Sequence, residues 1–263
     1  MIGISTSTFY SKLSTEDSVN KIAQMGSRTL EVFLNTFSEY TTDYLDIIGE
    51  RVKETGLRFN SVHTLPTQFE PQLFALSSRQ KDDALYFFKN VLKGASKYGC
   101  KMYVLHGKPY YRKNTGIISL DASKVVEPLN MLCDIAKKYD MKIALENVHW
   151  AMCNNLDFVN FIKREVTDIG FTLDIKQAHL SRLTYKDYLD AFGDRLLNVH
   201  ICDYMGNSPC MIGKGQVDFN RLAQDLKNAN YKGDVMLELY PNDYDTFDEV
   251  KDAFDYCNRV FEI

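Results

Sequence analysis

Seven side chains that can bind metals or move protons lie at or near the ends of seven short apolar runs: Glu31, His63, His106, Glu146, Asp174, His200 and Glu238. A carboxylate placed there loses hydration unless it is paired, hydrogen-bonded or bound to a cation. Any one of these residues, taken alone, reads as an interior group held by ordinary hydrogen bonds. The set reads differently. Glu146, Asp174, His200 and Glu238 come from four consecutive runs, and three carboxylates with one imidazole suit a divalent cation such as Mn²⁺, Mg²⁺, Co²⁺ or Zn²⁺. One divalent metal ion is the expected cofactor.

The runs that must position these residues are Ile2–Ser5, Thr29–Phe33, Phe59–His63, Met102–His106, Ile143–Glu146, Gly170–Asp174, Leu197–Ile201 and Val235–Leu239. Each is short and apolar, and longer stretches of helical period separate them. Ala84, Phe87, Phe88, Val91, Leu92 and Ala95 fall on one helical face, which Gly99 terminates. Val250, Ala253, Phe254, Cys257, Val260 and Phe261 repeat the pattern, opened by a capping box of Thr246 and Glu249. Thr184 and Asp187 make a weaker start signal of the same kind.

Eight strands with helical crossovers admit an open doubly wound sheet or a closed barrel, and periodicity does not choose between them. The strand-end chemistry does. A barrel gathers the carboxyl ends of all its strands around one mouth, which gives seven such residues a shared purpose. The expectation is a single (β/α)8 TIM barrel spanning residues 1–263, a length usual for that fold.

The segments Ala144-Leu145-Glu146-Asn147, Thr172 to His179, Asn198 to Asp203 and Leu237-Glu238-Leu239 resemble, in order, the strand-end motifs of the xylose-isomerase-like sugar isomerases and epimerases. Gly213-Lys214-Gly215 followed by Asp218-Phe219 resembles that family's loop after strand seven, so the resemblance spans essentially the whole chain. It implies that Glu146, Asp174, His200 and Glu238 are metal ligands, and that Glu146 and Glu238 double as an acid–base pair. Such enzymes remove a proton next to a carbonyl, and a metal gripping both substrate oxygens stabilises the enediolate. The implied substrate is a small sugar or sugar phosphate.

Substrate contacts are expected from His63 and His106, where relatives use histidines toward metal or substrate, and from Glu31, which would bond a sugar hydroxyl or neutralise neighbouring cations. Trp150, next to His149, could wall a sugar. Lys108, in a loop with Tyr110, Tyr111 and Arg112, and Lys214, between two glycines, could meet a phosphate or carboxylate; solvated loop charges are the commoner case. His179 could orient substrate. Asp203 is expected to support a neighbouring side chain, and Asp218 to cap a helix containing Leu222 and Leu226.

Two other activities share these residues. Endonuclease IV, a three-zinc DNA-repair nuclease, has this barrel, but where its motif carries a histidine after the strand-six aspartate this chain has Gln177, and its Asp-x-His pair after strand seven is missing. A hydro-lyase of the inosose dehydratase kind would use the same metal and base to expel a hydroxyl. A non-catalytic sugar-binding barrel is disfavoured, because both acid–base carboxylates are intact.

Charge and composition agree with a small-molecule enzyme. At a net charge of −4 and a pI near 5.8 the chain lacks the overall basic field that nucleic-acid binding exploits, so no nucleic-acid partner is expected. Met1 to Phe9 lacks the basic flank of a signal peptide, and no apolar stretch reaches membrane-spanning length. The six cysteines form no CxxC pair and read as reduced thiols. A cytoplasmic protein without membrane contact is expected.

Overall fold

The computed structural model describes residues 1–109 and 121–261. Eight parallel strands close into a barrel: β1 (Ile2–Ser5), β2 (Thr29–Leu34), β3 (Arg58–Thr64), β4 (Met102–Leu105), β5 (Lys142–Glu146), β6 (Gly170–Asp174), β7 (Leu196–Ile201) and β8 (Val235–Leu237). β8 pairs with β1, which excludes the open sheet. The strands read as nearly continuous apolar runs because side chains fill the barrel on one face and helices cover the other. Two register shifts, at Leu30/Glu31 against β3 and at Phe171/Thr172 against β7, precede site residues. After the second shift Asp174 stands opposite His200.

Two strands stop short of the expected length. The β4 ladder ends at Leu105, one residue before His106, and Gly107 then turns the chain at φ +83°. The β8 ladder ends at Leu237; Glu238 N still donates to Ile201 O at 3.0 Å, whereas Leu239 N turns to Thr8 Oγ1 at 3.2 Å. Glu238 therefore hangs at the rim.

Beyond β7 the chain forms an antiparallel ribbon of Asp203–Met205 and Ser208–Cys210, which the sequence reading did not contain. Here Asp203 has a different task from the one expected. Its carboxylate accepts backbone N–H groups from Tyr204, Gly213, Gly215 and Val217 at 2.9 to 3.1 Å, so it knots residues 203–217 together and leaves no side chain to support. A Cβ at position 215 would lie 2.2 Å from Asp203 Oδ1, so only glycine fits there.

Helix ends follow the expected side-chain logic. Asp218 caps the helix Phe219–Asn228 through Arg221 N at 2.9 Å, and both Thr184/Asp187 and Thr246/Glu249 form complete capping boxes. Thr246→Ala should lower the unfolding free energy by about 1 kcal/mol, since it removes the acceptor for Glu249 N. A urea midpoint unchanged from wild type would show that the Glu249 half of the box suffices. All six cysteines are unpaired, and no described helix is long and apolar enough to cross a membrane.

Candidate metal and active site

The carboxyl ends of the strands open on a cavity of about 270 Å³. Ser7, His63, His106, Glu146, Asp174, Gln177 and Glu238 provide its polar lining, and Tyr10, Phe33, Leu65, Trp150, Leu239 and Tyr240 stand among its apolar lining. The closed barrel brings together residues from both ends of the sequence. Ser7 Oγ, just past β1, donates to Glu238 Oε1 at 3.0 Å.

Glu146, Asp174, His200 and Glu238 each place one donor atom within 4.8 Å of the others. His200 Nδ1 lies 2.9 Å from Glu238 Oε2 and 3.7 Å from Glu146 Oε1. Even so, His200 Nδ1 and Glu146 Oε2 are buried without a hydrogen-bond partner. Buried polar atoms are rarely left unmatched, and lone pairs converging from carboxylates and an imidazole suit a shared cation. These four residues fit a divalent metal.

Behind this quartet lies Glu31, fully buried and outside the cavity lining. Its Oε2 meets His200 Nε2 at 3.0 Å, and Ser61 Oγ, Ser5 Oγ and Asn198 Nδ2 donate to its carboxylate at 2.7, 3.1 and 3.2 Å. A carboxylate in that place holds the imidazole proton on Nε2 and turns Nδ1 toward the metal position. Of the two roles expected for Glu31, charge neutralisation matches this geometry and sugar contact does not. Asn147, the residue after β5, adds a two-point clamp: its Nδ2 donates to Asp174 O at 2.9 Å and its Oδ1 accepts from Asp174 N at 2.7 Å.

The electrostatics follow from packing charges away from water. Burial works to raise the Glu146 carboxyl, but hydrogen bonding to His200 and the nearby imidazoles His106, His200 and His63 bring it down to about 2. Asp174 goes the other way, pushed up to about 7 by burial and then by the charges of Glu146 and Glu238. His200 is held well above the ordinary imidazole range despite burial, because Glu31 and Glu238 favour its charged form. Metal binding must displace these protons. Affinity for Mn²⁺ or Zn²⁺ should therefore fall by about tenfold per unit as pH drops below the Asp174 value, for one displaced proton. Calorimetric titrations at pH 6 and pH 8 check this, and equal affinities would contradict it.

His63 and His106 both reach the cavity and stack on each other with centroids 4.2 Å apart. With Glu146 they form a second group able to hold a cation, and Glu31, His63, His200 and Glu238 form a third. Trp150 closes the wall, stacked over His106 at 5.9 Å. Lys108, His179 and Lys214 are not among the lining residues. His179 instead meets Gly206 O at 2.8 Å and stacks on Tyr204, and Lys214 is exposed. Tyr110, Tyr111 and Arg112 lie outside the described residues.

Several functional neighbours escaped the sequence reading: Ser5, Ser7, Glu70, Asn147 and Asn198. Ser5 closes the first run and Asn147 and Asn198 stand within the strand-end motifs, but no role was expected of them; Ser7 and Glu70 carry no periodicity or motif signal at all. Gln177, singled out earlier only as a missing histidine, lines the cavity, and its Oε1 accepts from His149 N at 3.2 Å and His149 Nδ1 at 2.5 Å.

Residues 19–259 match the sequence model of the xylose isomerase-like TIM barrel family. The chain belongs to that family. Among relatives of this xylose isomerase-like barrel is an uncharacterised protein of Methanocaldococcus jannaschii, 27% identical over 241 residues, covering 82% of this chain and 92% of the relative. Among solved structures, D-psicose 3-epimerase from Clostridium cellulolyticum H10, crystallised with D-tagatose, superposes with a TM-score of 0.81 at 15% identity, covering 100% and 99% of the two chains. The zinc-bound IOLI protein gives a TM-score of 0.80 at 20% identity, with the same coverage.

Proposed function

We propose that this xylose isomerase-like barrel is a divalent-metal-dependent sugar isomerase or epimerase acting by proton transfer at a carbon next to a carbonyl. One observation carries the reading: Glu146 and Glu238, both in the quartet that fits a metal, line the same cavity. The metal, when bound, would supply Lewis acidity that makes a proton beside a carbonyl easier to remove. Glu146 takes or returns that proton through Oε2, the oxygen without a protein partner. Glu238 performs the complementary transfer, its carboxylate oriented by Ser7.

The surrounding residues orient a small polyhydroxylated molecule. Because Gln177 Oε1 is committed to His149, the amide N–H groups are what Gln177 can offer to a substrate oxygen. The same commitment weakens the nuclease reading, as it takes the neutral oxygen that would have to replace a histidine ligand. Tyr10, Trp150 and Tyr240 offer aromatic surface to the C–H face of a sugar. The likeness to a ketose 3-epimerase structure supports a small ketose, free or phosphorylated, as the substrate class.

The test is solvent-deuterium incorporation by metal-loaded protein in a panel of ketoses, with products separated into epimerised and dehydrated species. Exchange with an epimerised or isomerised product supports the reading. Dehydrated product without epimer would transfer the site to a hydro-lyase, and incision of an abasic-site duplex that depends on Glu146 would transfer it to a nuclease.

A further inference from the structure

We infer that Glu70 is a positioning residue that keeps Glu146 Oε2 clear of hydrogen-bond donors by ordering the protons of the two cavity histidines. Glu70 opens the short helical turn Glu70–Phe74 and is completely buried, away from the cavity lining. Thr64 Oγ1 and Tyr103 OH approach its Oε1 at 3.0 and 2.9 Å; His106 N and Nδ1 approach its Oε2 at 3.0 and 3.1 Å. Glu70 Oε2 already accepts the His106 backbone N–H, so it accepts from Nδ1 as well, and in a neutral His106 ring Nε2 then carries a lone pair.

The next ring is then determined. His63 Nε2 lies 2.9 Å from His106 Nε2, a hydrogen bond that needs one proton, and with His106 as acceptor His63 must donate it. That N–H is spent on His106 rather than on Glu146 Oε2, which lies 3.5 Å from His63 Nε2 and 3.8 Å from His106 Nε2. A further observation agrees with this proton order: Glu146 Oε2 has no hydrogen-bond partner, while His63 Nδ1 points away from it and faces Glu31 Oε1 at 3.6 Å. Had His106 carried its proton on Nε2, an N–H would face Glu146 or His63, and the oxygen meant for a cation or a substrate proton would be partly occupied. The order of protons stands on the geometry alone; its catalytic consequence rests on the epimerase reading above.

The experiment is ¹⁵N NMR of the histidine side chains in the chelated and Zn²⁺-loaded protein, which reads the tautomer without any substrate. His106 should show a protonated Nδ1 in the chelated protein. Glu70→Met should abolish that signature and weaken Zn²⁺ binding by about 10–100-fold, the usual effect of losing a residue that orients a metal site. Glu70→Gln should restore both, because its amide oxygen can face His106 while its NH₂ turns to the two hydroxyls. Tyr103→Phe removes a donor from the same carboxylate without touching either ring, so it should lower the melting temperature and leave the His106 signals in place. A wild-type His106 protonated on Nε2 overturns the proposal, as does a Glu70→Met protein with unchanged tautomer and Zn²⁺ affinity. If Glu70→Met does not fold, the wild-type tautomer and the Glu70→Gln protein still decide. Failure of every ketose to exchange deuterium would sink the epimerase reading and leave these measurements untouched.

Discussion

Glu238→Gln should reduce deuterium exchange into the substrate by about 10²–10⁴-fold, the usual contribution of one acid–base group. The substitution keeps the shape and removes the charge. Ser7 can still bond the amide oxygen, and the side chain is 18% exposed at the rim, so folding should survive. Two losses combine in this variant, because Glu238 also belongs to the cation-binding quartet. Measuring metal content beside exchange separates them. A protein that retains its metal and loses exchange identifies the carboxylate as a proton carrier. Loss of both leaves its role as a ligand sufficient, and near wild-type exchange with any ketose removes Glu238 from the mechanism.

The second large effect concerns the metal. Protein purified without chelator should contain about one divalent ion per chain, and adding Mn²⁺, Co²⁺ or Zn²⁺ to chelated protein should raise its melting temperature. Ligand present at 100 times its dissociation constant stabilises the folded state by about 2.7 kcal/mol. His200→Ala should abolish that rise, as the imidazole supplies the quartet's only nitrogen donor and sits between Glu31 on one side and Glu146 and Glu238 on the other. Chelated protein that binds none of the three ions, with no shift in melting temperature, would disprove the site.

The barrel was legible because its signal is repetitive. Eight apolar runs separated by helical stretches, seven of them carrying at or near their ends a residue that is expensive to bury, leave little choice of architecture, and the observed strands begin and end within two residues of those runs. The quartet was legible for the same reason: Glu146, Asp174 and His200 lie within strands or at their ends, where direction follows from the two-residue alternation. Loop residues have no such rule. Lys108 and Lys214 were read from charge and proximity in sequence, but the turn at Gly107 and the ribbon after β7 decide where they point, and His179, on the helix Ile175–Leu180, turns to that ribbon at Gly206 O. Ser7 and Glu70 failed to announce themselves for a further reason. Their partners are set by barrel closure, Ser7 meeting a residue 231 positions away and Glu70 one 36 positions away, and a short polar residue in a loop looks alike with or without such a partner.

The Asn147 clamp gives the candidate metal position an uneven support. By returning one hydrogen bond to each side of the Asp174 peptide, Asn147 acts as an extra rung of sheet beyond the last backbone pair of β5 and β6. The strand ends that carry Glu146 and Asp174 are thus tied to each other, and His200 is held by Glu31 from behind. Glu238 stands at the rim, 18% exposed, held by Ser7 on one oxygen and approached by His200 Nδ1 at 2.9 Å on the other. A cation arriving at this candidate site from the mouth would meet three side chains fastened from behind and a fourth at the rim, the least buried of the set. Reorganisation on capture and release would then fall mainly on that rim side chain.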